Sequence, residues 1–301
     1  MIDIYNDVYK NEFGFYTLKK LPSDEERENY YREKYFQEAK GSYELSYTED
    51  ELNYFRAKLE QKLLLINEHF SAITHQPPYS FLDIGCGEGY AIAFFKKNGF
   101  NVLGLDYSSA GIKSKNNDML DYVMLGDIYD NINNLIENSK YFDIINMDNL
   151  LEHVTDPKRL LEQVYKLLKE NGIVIIKVPN DFNVLQKYFW EHGIIKKAHW
   201  VAPLDHISYF NKNGLMNLCK SVGLNCLDIL SDQLVEFSAL NPNTNYFENK
   251  NVGKSCHFAR VVQENIFHNI SPQKTIELFR VFGEMGLGRV IIGVFKKGSM
   301  D

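Results

Sequence analysis

Ser80-Phe-Leu-Asp-Ile-Gly-Cys-Gly-Glu-Gly89 is the stretch that decides how this chain folds. Phe81, Leu82 and Ile84 form an apolar run short enough for a buried strand. Gly85, Gly87 and Gly89 then remove side chains where the backbone must turn sharply and where a ligand can touch it. From Glu88 onward the pattern is helical, with Ala91, Ile92, Phe94 and Phe95 turned inward. A strand, a glycine-rich turn and a helix N-terminus leave amide N–H groups facing a polar ligand.

Asp83 stands two residues before the first glycine, and Asp106 ends the next apolar run, Asn101-Val-Leu-Gly-Leu-Asp106. An acid at that second position is placed to hold ribose hydroxyls. A dinucleotide fingerprint would close with glycine or alanine where this chain has Tyr90, so nicotinamide binding is disfavoured.

In these residues the chain resembles the class I S-adenosylmethionine-dependent methyltransferases. Phe81–Gly89 resembles the family's first motif, Leu105-Asp106 its second and Gly126-Asp127-Ile128 its adenine-side motif. Phe142-Asp-Ile-Ile-Asn-Met-Asp-Asn-Leu-Leu-Glu-His-Val-Thr-Asp-Pro157 resembles the fourth, in the style of the ubiquinone and menaquinone methyltransferase branch, with Asn149 where that branch often has Glu. The likeness runs from Phe81 to Val178 and resumes at the C-terminal strand. It implies S-adenosyl-L-methionine as cofactor. The residues it implies for binding are Asp83, Gly85, Cys86, Gly87, Gly89, Asp106, Tyr107, Asp127, Ile128 and Asp148.

Composition narrows the class. A chain of 301 residues, 45% hydrophobic and 14% aromatic, can bury a substantial core. A formal charge of −7 without a basic block disfavours a nucleic-acid substrate. The start, Met1-Ile-Asp-Ile-Tyr-Asn-Asp7, lacks the design of a signal sequence, and no apolar run is long enough for a membrane span. A cytoplasmic location is expected. Cys86, Cys219, Cys226 and Cys256 show no C-x-x-C spacing, so reduced thiols and no metal are expected.

The expected fold class is α/β, a Rossmann-like, doubly wound sheet with helices on both faces. Strands are predicted over 80–84, 101–106, 121–126, 141–147, 172–178 and 224–230. The resemblance makes the sheet seven-stranded and places 288–297 antiparallel between the fifth and sixth strands. A helical lid over 1–75, a core over 76–232 and 287–301, and a substrate-cap insertion over 233–286 complete the division. Residues 1–21 are ambiguous and read as a mobile arm. Ser23 caps a helix bearing Tyr30, Tyr31, Tyr35 and Phe36, an aromatic face that either packs on the core or closes on the cofactor through Tyr31 and Tyr35. Gln76-Pro-Pro-Tyr79 precedes the first strand and is a connector, whereas Asn146-Met-Asp-Asn149 follows the fourth; methylation of a planar nitrogen is thereby disfavoured.

An alcohol acceptor must lose a proton on methylation, and histidine is the side chain suited to take it near neutral pH. His206, on the polar loop before Phe210, and His153, beside Glu152, are the catalytic candidates; His153 could equally brace its turn. His199, Trp200 and Tyr209 could wall the acceptor. His257 and Arg260 share a helix face with Glu264, suited either to gripping a phosphorylated sugar or to solvation. The expected activity is O-methylation of a small polar acceptor. The loop over 179–210 and the insertion resemble those of bacterial surface-glycan methyltransferases, which implies a sugar, sugar nucleotide or glycan phosphate. A non-catalytic cofactor-binding subunit and a nicotinamide oxidoreductase are the alternatives.

Overall fold

The computed structural model describes residues 5–23, 25–26, 30, 46–70 and 77–298. Tyr31, Tyr35 and Phe36, and with them the expected aromatic lid face, lie outside the described residues. Ser23 does cap as expected: its Oγ accepts from Glu26 N–H at 3.2 Å, and Glu26 reaches back to Ser23 N–H at 2.8 Å.

Seven strands form one sheet in the order β5 (Val123–Leu125), β4 (Asn101–Asp106), β3 (Ser80–Ile84), β6 (Phe142–Asp148), β7 (Leu168–Pro179), β10 (Val290–Lys297) and β9 (Leu224–Leu230). β3 to β7 run parallel, and β10 pairs antiparallel with both β7 and β9, where the resemblance placed it. The third strand is shorter than predicted because Asn117–Tyr122 winds into a 3-10 turn. The fifth is longer, since Leu168 is already extended and pairs with Phe142.

Strand alternation sorts the apolar residues onto two faces. Phe81, Ile144 and Ile175 point toward α1 (Glu49–Phe70), α2 (Tyr90–Lys97) and α9 (Pro272–Glu284), with Leu65, Phe95 and Phe279 as their partners. Leu82, Ile145 and Ile176 point toward α4 (Ile128–Glu137), α5 (Pro157–Leu167) and α7 (Lys212–Ser221). α9 was not foreseen within the insertion. It sits so close to β9 that a Cβ on Gly283 would come within 2.8 Å of the Ile229 carbonyl oxygen. It therefore belongs to the packed layer, while α8 (Gly253–Ile270) lies along α1.

A second, small sheet corrects the reading of the N-terminus. Residues 5–19 are not an arm: β1 (Val8–Lys10) pairs with β2 (Tyr16–Leu18), and β2 pairs with β8 (Ser208–Tyr209). Phe15 is buried against Phe210, ring centroids 4.4 Å apart. It fits because α7 carries Gly214, where a Cβ would lie 2.6 Å from that of Phe15.

Candidate cofactor and acceptor site

The turn after β3 takes the form the glycines foretold. Gly85, Gly87 and Gly89 have φ of 77°, 54° and 78°, a region that strains any residue with a Cβ. Gly87 N–H and Ser108 N–H donate to Asp106 Oδ2 and Oδ1 at 2.7 and 2.9 Å. Those bonds orient the carboxylate and leave each oxygen a further lone pair. Burial raises the Asp106 pKa, and the two N–H donors oppose that rise. Asp127 caps α4 by accepting from Asp130 N–H at 3.1 Å, Tyr107 is exposed, and Ile128 packs on the core. Cys86 is buried, its Sγ packed over Gly104, where a Cβ would approach it to 2.8 Å.

Behind the turn lies a cavity of about 320 Å³ between α1 and the strand ends. It brings together Asp83, Gly85, Cys86, Gly89 and Asp148. Its far wall comes from residues sequence reasoning missed. Lys62, nearly buried on α1, donates to Asn146 Oδ1 at 2.6 Å and to both oxygens of Asp148 at 2.9 and 2.8 Å. Asn146 in turn donates to Asp83 Oδ1 at 2.6 Å. Burial pushes the Asp83 carboxyl up to about 7, against that hydrogen bond. Asp148 is held below its usual value, because Lys62 and then Lys177 outweigh the cost of burial. The signal for this wall was present: Tyr54, Lys58, Gln61 and Lys62 recur at helical spacing along an otherwise apolar stripe.

Tyr90 stacks obliquely on Phe55 of α1, ring centroids 5.5 Å apart, and lines the same cavity. Tyr47 O–H donates to Glu88 Oε2 at 2.9 Å, tying the segment before α1 to the glycine turn.

The two candidate bases meet where the loop before β8, with His206, packs on the turn after β6, with His153. The His153 and His206 rings lie 4.9 Å apart at 76°. His153 Nδ1 is 2.6 Å from the Asp205 carbonyl oxygen. A carbonyl only accepts, so in the neutral ring Nδ1 carries the proton and Nε2 the lone pair. Glu152 Oε1 stands 3.7 Å from that Nε2, and burial raises the Glu152 carboxyl to about 8. Asp205, which adjacency alone did not tie to His206, lies 4.0 Å from His206 Nε2 and 3.6 Å from His153 Nδ1. Glu152, His153 and His206 each offer a ligand atom, all within 4.8 Å of one another.

Other candidates face elsewhere. Tyr209 is fully buried; its hydroxyl accepts from Ala202 N–H and donates to the His206 carbonyl, so it braces the loop instead of touching an acceptor. Trp200 is buried against Phe182, and His199 turns to Glu248 at 3.4 Å. Arg260 donates to Tyr54 O–H at 3.0 Å and pairs with Asp232 and Glu264, while His257 faces Glu51. Arg260 and Glu264 pack inward toward α1 with their charges already paired, while His257 stays exposed at the edge.

A family profile described as "Methyltransferase domain" matches residues 46–229. The chain belongs to the methyltransferase domain family. It is a class I S-adenosylmethionine-dependent methyltransferase, and S-adenosylmethionine is its cofactor; the nicotinamide alternative falls with that assignment. Among curated relatives, a ubiquinone biosynthesis O-methyltransferase of Coxiella burnetii is 28% identical over 178 residues, 57% of this chain and 69% of that protein. One from Pasteurella multocida is 27% identical over 165 residues, 50% of this chain and 66% of that protein. The fold is shared with a SAM dependent methyltransferase from Archaeoglobus fulgidus, at a TM-score of 0.50 and 17% identity over 81% of this chain and 96% of that one. The site of this methyltransferase fits the cofactor: the glycine turn presents backbone, Asp106 has two oriented oxygens, and Asp83 and Asp148 offer carboxyl groups to an ammonium. No helix among the described residues is long and apolar enough to cross a membrane.

Proposed function

We propose that this methyltransferase methylates a hydroxyl of a small polar acceptor, with a sugar, sugar nucleotide or glycan phosphate as the favoured class. The observation that carries this reading is the meeting of His153 and His206 beside Glu152 and Asp205. S-adenosylmethionine, when bound, supplies a methyl group on a sulfonium. Asp106 would hold ribose hydroxyls, and Asp83 and Asp148 the amino-acid end. His206 or His153 would take the acceptor's proton as the oxygen attacks, and alignment over the strand ends would supply much of the remaining rate.

The O-methyltransferase names of the relatives support a hydroxyl as the target. A polar acceptor is supported by the charged cavity wall of Lys58, Lys62, Asp148, Lys177 and Asp232, which would leave a long hydrocarbon chain poorly matched. Residues 1–75 would act as the lid, a reading supported by the Tyr47–Glu88 bond, and 233–286 as the cap, supported by α8 lying along α1.

Labelled S-adenosylmethionine offered with sugars, sugar phosphates, sugar nucleotides and a prenylated dihydroxyphenol tests the reading. Label on a sugar hydroxyl is expected; label on the prenylated phenol alone would overturn it. A second reading is favoured by the three ligand atoms within 4.8 Å: a divalent cation held by Glu152, His153 and His206 would orient the hydroxyl. Turnover abolished by a chelator and restored by magnesium or manganese would favour it over a histidine base.

A further inference from the structure

The cavity wall contains three lysines, and two of them are neutralised. Lys62 is held by Asp148 at 2.8 Å. Lys58 is paired with Glu264. Asp232, the other carboxylate on that side, is taken by Arg260 at 3.4 Å. Lys177 is different: among the described residues its ammonium makes no hydrogen bond and no ion pair.

Its place in the sheet makes that significant. Lys177 lies on β7 between the fully buried Ile176 and Val178, and faces the cavity side with Ile173 and Ile175. A central strand under a helical layer is a costly place for a charge whose carboxylate neighbour is already bonded elsewhere. Asp148, directly across from it in the register, is already engaged by Lys62, so the two ammonium groups share one carboxylate.

The position also sets it apart from the glycine turn, though in the same cavity. β7 is the second strand over from β3, about 10 Å across the sheet from the glycine turn at ordinary strand spacing. Lys177 stands level with Asp148, at the end of β6 from which the chain turns to Glu152 and His153. It is therefore on the side where the acceptor must lie if the histidines take its proton.

We propose that Lys177 reads an oxyanion on the acceptor, a carboxylate or a phosphate, carried beside the hydroxyl that is methylated. This rests on the reading of the histidine turn as the acceptor end. Binding the anion would give Lys177 a partner of its own, as Asp148 is for Lys62 and Glu264 for Lys58. Neutral analogues would leave the ammonium unmatched, so discrimination comes from an unfilled partner and needs no shape difference.

The test uses the full chain saturated with S-adenosylhomocysteine, with potassium acetate and inorganic phosphate as probes at constant ionic strength balanced by chloride. Calorimetry should find one of the two ions binding the wild-type complex, phosphate or acetate naming the anion class. K177M should weaken that binding by about tenfold to a hundredfold, the loss of a charged hydrogen bond. K177R should retain it, and S-adenosylhomocysteine affinity should stay within about twofold in both, since the proposal gives this ammonium to the acceptor and not to the methionine carboxylate. The proposal is overturned if neither ion binds the wild-type complex, or if K177M binds as the wild type does. It is equally overturned if K177M loses cofactor affinity in step, which would assign the lysine to the methionine carboxylate. Should K177M fail to fold, K177Q read by the same titration decides. Failure of the hydroxyl-methylation reading looks different: the ion binds, while no hydroxyl compound accepts label.

Discussion

Lys62 Nζ lies 2.8 Å from Asp148 Oδ2, joining the middle of α1 to the end of β6 across the wall of the cofactor cavity. Lys62 is nearly buried, with 9% of its side chain exposed, whereas Asp148 keeps a third of its side chain in contact with the cavity. K62M should therefore destabilise by roughly 2–3 kcal/mol, below the range for a fully buried pair because Asp148 is partly screened. Urea unfolding of K62M and K62R checks this. Equal midpoints for K62M and the wild type would show that the pair contributes nothing.

Asp106 has both oxygens oriented by backbone N–H groups at the glycine turn, outside the apolar core, and is proposed to hold the ribose. D106A should lose roughly 1.5–3 kcal/mol of S-adenosylmethionine affinity for each bond left unmade. Calorimetry measures it directly; unchanged affinity would remove the ribose assignment.

Asp83 makes the fold pH-dependent in an unusual direction. Its folded pKa of about 7 lies above the unfolded value near 4, so the native state binds the extra proton. The associated stability is present below about pH 4 and is lost as pH rises toward about 7, at up to about 1.4 kcal/mol per pH unit. D83N keeps a side chain that can accept from Asn146 and should flatten that slope. Denaturation midpoints from pH 4 to 7 that fall equally in D83N and the wild type would contradict the burial argument.

His206→Ala should lower turnover by roughly 10²–10⁴ while leaving S-adenosylmethionine affinity and fold intact. His153→Ala is the matched variant. Its Nε2 holds the lone pair once Nδ1 is committed to the Asp205 carbonyl, so it competes for the same role. If H153A alone abolishes turnover, the base is His153 and His206 only shapes the turn. Near-normal turnover in both would mean that alignment alone drives transfer.

Much of the sheet was legible because its signals are local. An apolar run of strand length, three glycines at positive φ and a capping aspartate each depend on a few neighbouring residues, so the glycine turn and Asp106 could be placed from the chain alone. The antiparallel last strand came through family resemblance, since nothing local specifies which edge a distant strand joins. Residues 5–19 escaped for a related reason. Thr17 bonds the Ile207 carbonyl from 190 residues away, and short strands that pair only over such distances carry little period of their own.

Residue type and spacing, then, determined the parallel strands and the glycine turn, and motif resemblance added the last strand and the cofactor. Tertiary structure decided which charges were spoken for. Arg260 looked available on one helix face, yet packing turned it onto Tyr54, Asp232 and Glu264. Lys62 went unread in the sequence, yet α1 carries it down to Asp148. A side chain's charge is written in the sequence; its partner is set by which faces of distant elements come within hydrogen-bond reach, and that distance does not exist until the chain has folded.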